Sequence, residues 1–361
     1  MSYTVSTDVL LDALQKINEM TSVLTGLDVV APTPTPTPLP TTNATEVSTL
    51  AEFKTALTNA TRTNGVAHIR LRNDIVSPGP QILMQNLKNI TIDGDGFGFK
   101  RTQNQKTNHM FLLNKCTGIY FENIGFDDNN DGDFGAPTSG VKYMIYVKDC
   151  TDITFDNAVI GNAKGYTLYV QQTNGFTFTN SEMYNAGVLG LYIGHGDNYS
   201  QRVTITDNHF HDISTNAVAL LGVGGSTTNI VARNTFERNH KYGRWAVAAK
   251  YGAGFTGGGQ LYIARADNVL VEYNTIKDGA CLNGYHRLNN TGNGDVHGIE
   301  LSELGGRDVR VKNLRIRHNT ITNNDAGPIT QNQNSTLDNT TVIEDNNIYV
   351  NNGRGNVPHL L

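Results

Sequence analysis

The side chains best suited to chemistry in this 361-residue chain gather in two stretches. The first carries His240, Lys241, Tyr242, Arg244, Trp245, Lys250 and Tyr251, followed by Gly252-Ala253-Gly254 and Gly257-Gly258-Gly259. Trp245 is the single tryptophan of the chain. Aromatic rings stack on the faces of sugar rings, and cations pair with carboxylate or sulfate groups. Tyr242, Arg244, Trp245, Tyr251 and, from the second stretch, Tyr285 are therefore candidate ligand-binding residues. The equal alternative for Trp245 is a plug against the flank of a larger domain. The second stretch holds Cys281, Tyr285, His286 and Arg287, then Asp295, His297, Glu300 and Glu303. β-Elimination of a uronide needs a cation for the carboxylate, a base for the C5 proton and an acid for the leaving oxygen. By residue type, Arg287 or Arg244, Lys250 or His286, and Tyr285 or Tyr251 suit those roles. Hydrolysis instead needs two carboxylates facing each other across the bond, for which Asp295, Glu300 and Glu303 are present. The candidate catalytic residues are thus Lys250, His286, Arg287 and Glu300. Neither set has a diagnostic spacing, and a face that only binds carries the same groups.

Two smaller constellations bear on metals. Asp127, Asn129, Asp131 and Asp133, with Gly132 at the sixth place, match the front half of a calcium loop. Thr138 stands where such a loop needs its bidentate glutamate, so a calcium ion competes with a solvated acidic loop. His209 and His211 flank Phe210; on a strand they face one side, either as metal ligands or as solvated residues.

Composition narrows the fold that positions these groups. Only 17% of residues are charged, against about 25% in ordinary domains. Polarity comes instead from Asn, Thr and 37 glycines, which suit many short strands joined by tight corners. A net charge of -5 excludes a nucleic-acid binder that works by neutralising phosphates. Three cysteines, Cys116, Cys150 and Cys281, are too few and too scattered for a disulfide scaffold or a zinc cluster. No stretch reads as a membrane span. Asp8, Asp12, Lys16 and Glu19 interrupt the place where a secretory leader needs an apolar run.

Three zones follow. Residues 1–30 form an anchor or association segment, in which Leu10, Leu14, Ile17, Leu24 and Leu27 recur at helical steps over 5–27. Such a helix is about 33 Å long and marginal in water when alone, so it packs on copies of itself, on a larger assembly or back on its own domain. Residues 31–45 are a linker with prolines at 32, 34, 36, 38 and 40, a polyproline II spacer. Residues 46–361 form the main domain. It opens with a helix announced by the Thr49/Glu52 capping box and the apolar face Leu50, Phe53 and Leu57.

Alternating apolar and polar residues then recur in nine segments: 89–93, 118–122, 152–156, 175–179, 202–206, 229–233, 268–272, 313–317 and 341–344. Most are followed closely by an asparagine: Asn123, Asn157, Asn180, Asn208, Asn234, Asn274, Asn319 and Asn346. The regular spacings of 23, 28, 26 and 27 residues are one solenoid coil each. Asparagine tolerates left-handed backbone angles, so these residues are expected at one corner of every coil. Cys116 and Cys150 fall at matching places and are expected to stack as small fillers.

The cap helix, Ile69-Arg70-Leu71, the segment Leu87 to Gly96 and the asparagine-closed coils resemble the pectate-lyase-like superfamily of right-handed parallel β-helices. The resemblance implies an all-β solenoid over about 46–355 and a carbohydrate ligand, usually an acidic polysaccharide on the outer face. Gly194-His195-Gly196 is similar to the glycine-flanked histidine of the polygalacturonase-type hydrolases, whose other motifs are missing here. Together with the anchor and arm, the resemblance leads to an expected tail-spike or fibre protein that binds a bacterial surface polysaccharide. Such a protein is a homotrimer or is held to another virion structural protein through its helix, in a virion or extracellular setting. Two alternatives stay open: a free polysaccharide lyase or C5-epimerase, and a non-catalytic decoration protein. If catalytic, elimination is favoured over hydrolysis.

Overall fold

A computed structural model describes residues 44–63, 66–77, 81–102, 109–129, 143–194, 199–240, 258–280, 296–302, 311–331, 337, 339–353 and 358. The expected helix of 5–27 and the proline spacer lie outside them.

Thr49 and Glu52 start the helix α1 (Leu50–Thr63) as their types dictate. The Glu52 amide donates to Thr49 Oγ1 at 3.2 Å, and the Thr49 amide donates back to Glu52 Oε2 at 3.1 Å. The face made by Phe53, Ala56, Leu57 and Ala60 is buried. The Phe53 ring lies 4.9 Å from that of Phe99 and 6.3 Å from that of Phe111, so α1 closes one end of the apolar core. A solenoid needs such a cap, because its terminal coil has no neighbour to cover it.

Beyond α1 the chain winds through three parallel sheets, each coil giving one strand to each. All nine strand segments expected from alternation fall in the first sheet. It runs from Thr45–Val47 and Ala67–Leu71 through Lys88–Asp93, Thr117–Glu122, Thr151–Asp156, Asn174–Thr179, Ser200–Thr206, Asn229–Ala232, Asp267–Glu272 and Lys312–Arg317 to Val342–Ile343. The second sheet runs from Ile75–Ser77 to Ile348–Val350, and the third from Ile82–Gln85 to Ile329–Gln331. Inward residues stack in register: Ile92, Phe121, Phe155, Phe178 and Ile205 form one column. Phe121 and Phe155 lie 4.7 Å apart and nearly coplanar, at 11°. A one-residue slip would turn this column out to solvent.

The corner after the first sheet corrects the expectation of a single asparagine column. There are two columns, one residue apart. Asn123, Asn157 and Asn180 hold the left-handed position, with φ near 50°. Asp207, Arg233, Tyr273 and His318 hold it in later coils. Pairing of Thr179 with Thr206 puts Asp207, not Asn208, beside Asn180. Asn208, Asn234, Asn274 and Asn319 occupy the next position, turned inward and buried. There the side-chain carbonyls of Asn234, Asn274 and Asn319 each accept from the preceding asparagine's backbone and side-chain amides, and that of Asn208 accepts from the Ser181 amide. The ladder ends on Asn347 and not on the exposed Asn346. A second ladder at the next corner joins Asn239, Gln260, Asn324 and Asn352. Cys116 and Cys150 stack as expected: the Cys116 amide donates to Cys150 Sγ at 3.3 Å and both thiols are buried.

Candidate functional site

Where the first sheet's strands end, the outward positions of successive coils read Arg70, Asp93, Glu122 and Asp156. The parallel column two residues earlier reads His68, Thr91, Tyr120 and Thr154. Adjacent rungs are about 4.8 Å apart, so the fold lines up three carboxylates along the solenoid axis with an imidazole, a phenol and a guanidinium beside them.

Each carboxylate is held differently. Asp93 is buried and accepts from Arg70 Nε at 2.8 Å, from the Asp95 amide at 2.9 Å and from Asn123 Nδ2 at 3.4 Å. Asp156 is half-buried and accepts from the Tyr120 hydroxyl at 2.6 Å and from Asn180 Nδ2 at 2.9 Å. Glu122 lies between them, half-buried, and among the described residues no hydrogen bond reaches its carboxylate. Burial first, and then the charges of Asp93 and Asp156, push the Glu122 carboxyl above the usual glutamate range. Burial and the bond to Asp156 push the Tyr120 phenol up as well. His68 is 7% exposed, and its Nε2 stands 3.9 Å from Asp93 Oδ2. Neither ring nitrogen has a hydrogen-bond partner among the described residues. Burial pushes this imidazole below its ordinary value, which favours the neutral form.

The arrangement places a carboxyl that burial pushes upward, and that no hydrogen bond reaches among the described residues, between two hydrogen-bonded carboxyl groups, an environment in which a group can act as a general acid. One ligand atom from each of His68, Asp93 and Glu122 also lies within 4.8 Å of the others, close enough for a cation to bridge. Arg70 already holds Asp93 on that side.

Beside the strand ends, the left-handed corner residues rim an open groove of about 860 Å³ that includes Asp74, Phe97, Lys100, Asn123, Asn157 and Tyr184. A second groove, of about 610 Å³, shares Asn157 and Val159 with it and continues past Asn180, Asp207 and Arg233. Phe97 and Val159 are exposed apolar surfaces at 37% and 43%. One polar side chain per coil with apolar patches between is a surface that fits the polar rim and apolar faces of a sugar chain.

Of the candidates named from sequence, Glu300 lies on the strand His297–Ser302 of the third sheet, opposite Tyr262 and Thr330. It is 4% exposed, and its Oε2 accepts from the Gly258 amide. Asp127 Oδ1 accepts from the Asn129 amide at 2.7 Å and from Asn162 Nδ2 at 3.1 Å, so that oxygen closes a local turn. Tyr242, Arg244, Trp245, Lys250, Tyr251, Tyr285, His286, Arg287, Asp131, Asp133 and His195 lie outside the described residues. The strand-end cluster went unselected, although its signal was in the sequence. Three successive repeats, 89–93, 118–122 and 152–156, each close on a carboxylate, and equal positions in a parallel solenoid stack.

Residues 143–357 match the family model described as the right handed beta helix region. No curated protein sequence matches the chain. Similar solved structures include the pectate lyase Bsp165PelA from Bacillus sp. N165 in complex with trigalacturonate, at 15% identity and a TM-score of 0.50. That match covers 76% of this chain and 81% of the other. The A-module of the Azotobacter vinelandii mannuronan C-5 epimerase AlgE4 matches at 15% identity and a TM-score of 0.48, over 86% of this chain and 92% of that one. The enzymatically active domain of bacteriophage CBA120 tailspike protein 2 matches at 13% identity and 0.47, over 72% and 37%. At these identities the likeness is one of fold. With three parallel sheets wound from one strand per coil and a family match over most of that winding, the chain belongs to the right-handed β-helix family.

Proposed function

We propose that this chain is a tail-spike or fibre-type protein that binds a bacterial surface polysaccharide along the corner groove and hydrolyses it at the strand ends of the first sheet. The single observation that carries the chemistry is Glu122, half-buried between Asp93 and Asp156, its carboxyl pushed above the usual glutamate range by burial and then by their charges. In the reaction Glu122 gives its proton to the glycosidic oxygen as the bond to the anomeric carbon breaks. Asp156, one rung away and held by Tyr120 and Asn180, attacks that carbon. Water then releases the sugar and returns a proton to Glu122. Glu122 and Asp156 stand at paired positions on adjacent strands, rungs about 4.8 Å apart, and retaining enzymes hold their two carboxyl groups about 5–5.5 Å apart.

The spike reading is supported by the leucine-spaced segment and the stiff proline arm ahead of the solenoid, an anchor and a spacer in sequence. The test is retention of the full chain on a panel of immobilised bacterial polysaccharides. The same panel is then run with a variant lacking residues 1–45. The proposal expects one glycan to retain both forms and only the full chain to enter or coat its particle. Retention by no glycan would overturn the binding reading; a truncated form that still assembles would overturn the spike reading. Release of an unsaturated, ultraviolet-absorbing uronide would replace hydrolysis with β-elimination, for which Arg70, His68 and Tyr120 supply the cation, base and acid.

A further inference from the structure

The outer face of the second sheet carries a cluster, bordering the second groove, whose histidines have no role in the proposed cleavage. On the strand His209–His211, Phe210 points into the core, so both histidines face outward. Their ring centroids are 4.4 Å apart. His209 lies opposite Glu182 and His211 opposite Glu237 on the neighbouring strands. The contacts run along the diagonals: His211 Nε2 stands 2.8 Å from Glu182 Oε1, and His209 Nε2 stands 3.3 Å from Glu237 Oε2. One ligand atom each from Glu182, His209 and His211 lies within 4.8 Å of the other two.

We propose that Glu182, His209 and His211 bind a divalent transition-metal ion, zinc by the character of the donors, with Glu237 or water in the fourth place. Two imidazoles and a carboxylate are the donors of a tetrahedral zinc site. Bonds of about 2.0–2.1 Å at a tetrahedral angle place ligand atoms roughly 3.4 Å apart, and the separations of 2.8 and 3.3 Å reach that value with small side-chain shifts. Asp212 Oδ2 lies 2.7 Å from His211 Nδ1. A carboxylate there fixes the proton on Nδ1 and turns the Nε2 lone pair to the ion, the second-shell arrangement of zinc histidines.

Charge points the same way. Three carboxylates, Glu182, Asp212 and Glu237, surround the rings. Arg238 takes Asp212 at 2.8 Å and also pairs with Glu237, and Lys277 lies 3.5 Å from Glu237. Two cations against three carboxylates leave one negative charge facing the imidazoles, to be met by the ion. The groove that includes Glu182 and His209 leaves room for water on the open side. An ion here ties two consecutive coils together, and a third where Glu237 is the fourth ligand.

The test uses the full chain without a histidine tag, titrated with zinc sulfate by calorimetry and then with cobalt. The expected result is one saturable site, a tetrahedral cobalt spectrum, and a rise in unfolding temperature with zinc. His209→Ala and His211→Ala each abolish the site, and Asp212→Asn weakens it by about 10–100-fold. Glu122→Gln leaves it unchanged, which separates this site from the glycan reading. If His211→Ala fails to fold, the surface variant His209→Ala decides. Absence of a stoichiometric site, or binding that survives His209→Ala, overturns the proposal and leaves His211 as a hydrogen-bonded bridge between Glu182 and Asp212.

Discussion

The Tyr120 hydroxyl donates to Asp156 Oδ2 at 2.6 Å across adjacent strands of the first sheet. Two residues 36 positions apart in sequence meet because one solenoid coil separates them. The bond holds a carboxylate at the strand ends of the first sheet beside Glu122, and in the proposed reaction Asp156 is the group that attacks and Tyr120 the group that positions it.

Glu122→Gln and Asp156→Asn are each expected to lower glycan cleavage by about 10²–10⁴-fold, with glycan retention unchanged. Tyr120→Phe should cut turnover less and shift its pH profile, because it alters how Asp156 is held. Product analysis by size and by reducing ends, on variants first shown to be folded, reads all three.

Stability should respond to pH through Glu122. Its folded carboxyl is raised above the ordinary value of 4.5, so the folded state holds that proton more tightly than the unfolded chain does. Stability from this group is therefore greatest below the unfolded value and is lost as pH rises through the folded one. Glu122→Gln is expected to raise the melting temperature at neutral pH and to make little difference in acid. An equal shift at both ends of the range would contradict this.

The buried asparagine ladder should matter more than its exposed neighbours. Asn234 accepts twice from Asn208 and donates to Ile205 O and to Asn274. Asn234→Ala strands several buried groups and is expected to cost about 2–4 kcal/mol. Asn346→Ala, at the surface, should stay within about 0.5 kcal/mol. Denaturant unfolding of both variants distinguishes an internal ladder from a decorative corner.

Cys116 and Cys150 are expected to resist thiol reagents in the folded protein. Both are buried away from reagents, and the hydrogen bond with Cys116, then burial, pushes the Cys150 thiol up while the same bond lowers Cys116. The thiolate is the reactive form, so it is burial that protects Cys116. Labelling that follows global unfolding fits this packing; rapid labelling under native conditions does not.

The fold was legible because the first sheet's strands alternate cleanly over five or six residues. The second sheet's strands were not, since most are three residues long, as in Glu182–Tyr184 and His209–His211, too short to show a period. Asparagine spacing announced the coils, yet it merged two columns, because an asparagine serves equally in the left-handed place of Asn180 and in the inward place of Asn208. The strand-end cluster needed register. Asp93, Glu122 and Asp156 look unrelated until the coil length is laid over them, and the unequal coils make that alignment uncertain from spacing alone. The two inserts stand out in sequence because their aromatic and cationic residues are dense there.

The most direct test incubates the full chain with the glycan that retains it and follows the anomeric configuration of the freed ends, for the native protein and for Glu122→Gln. Hydrolysis with retained configuration, lost in the variant while binding persists, is the predicted result. Cleavage that proceeds unchanged in Glu122→Gln would place the chemistry elsewhere on the solenoid and contradict the account.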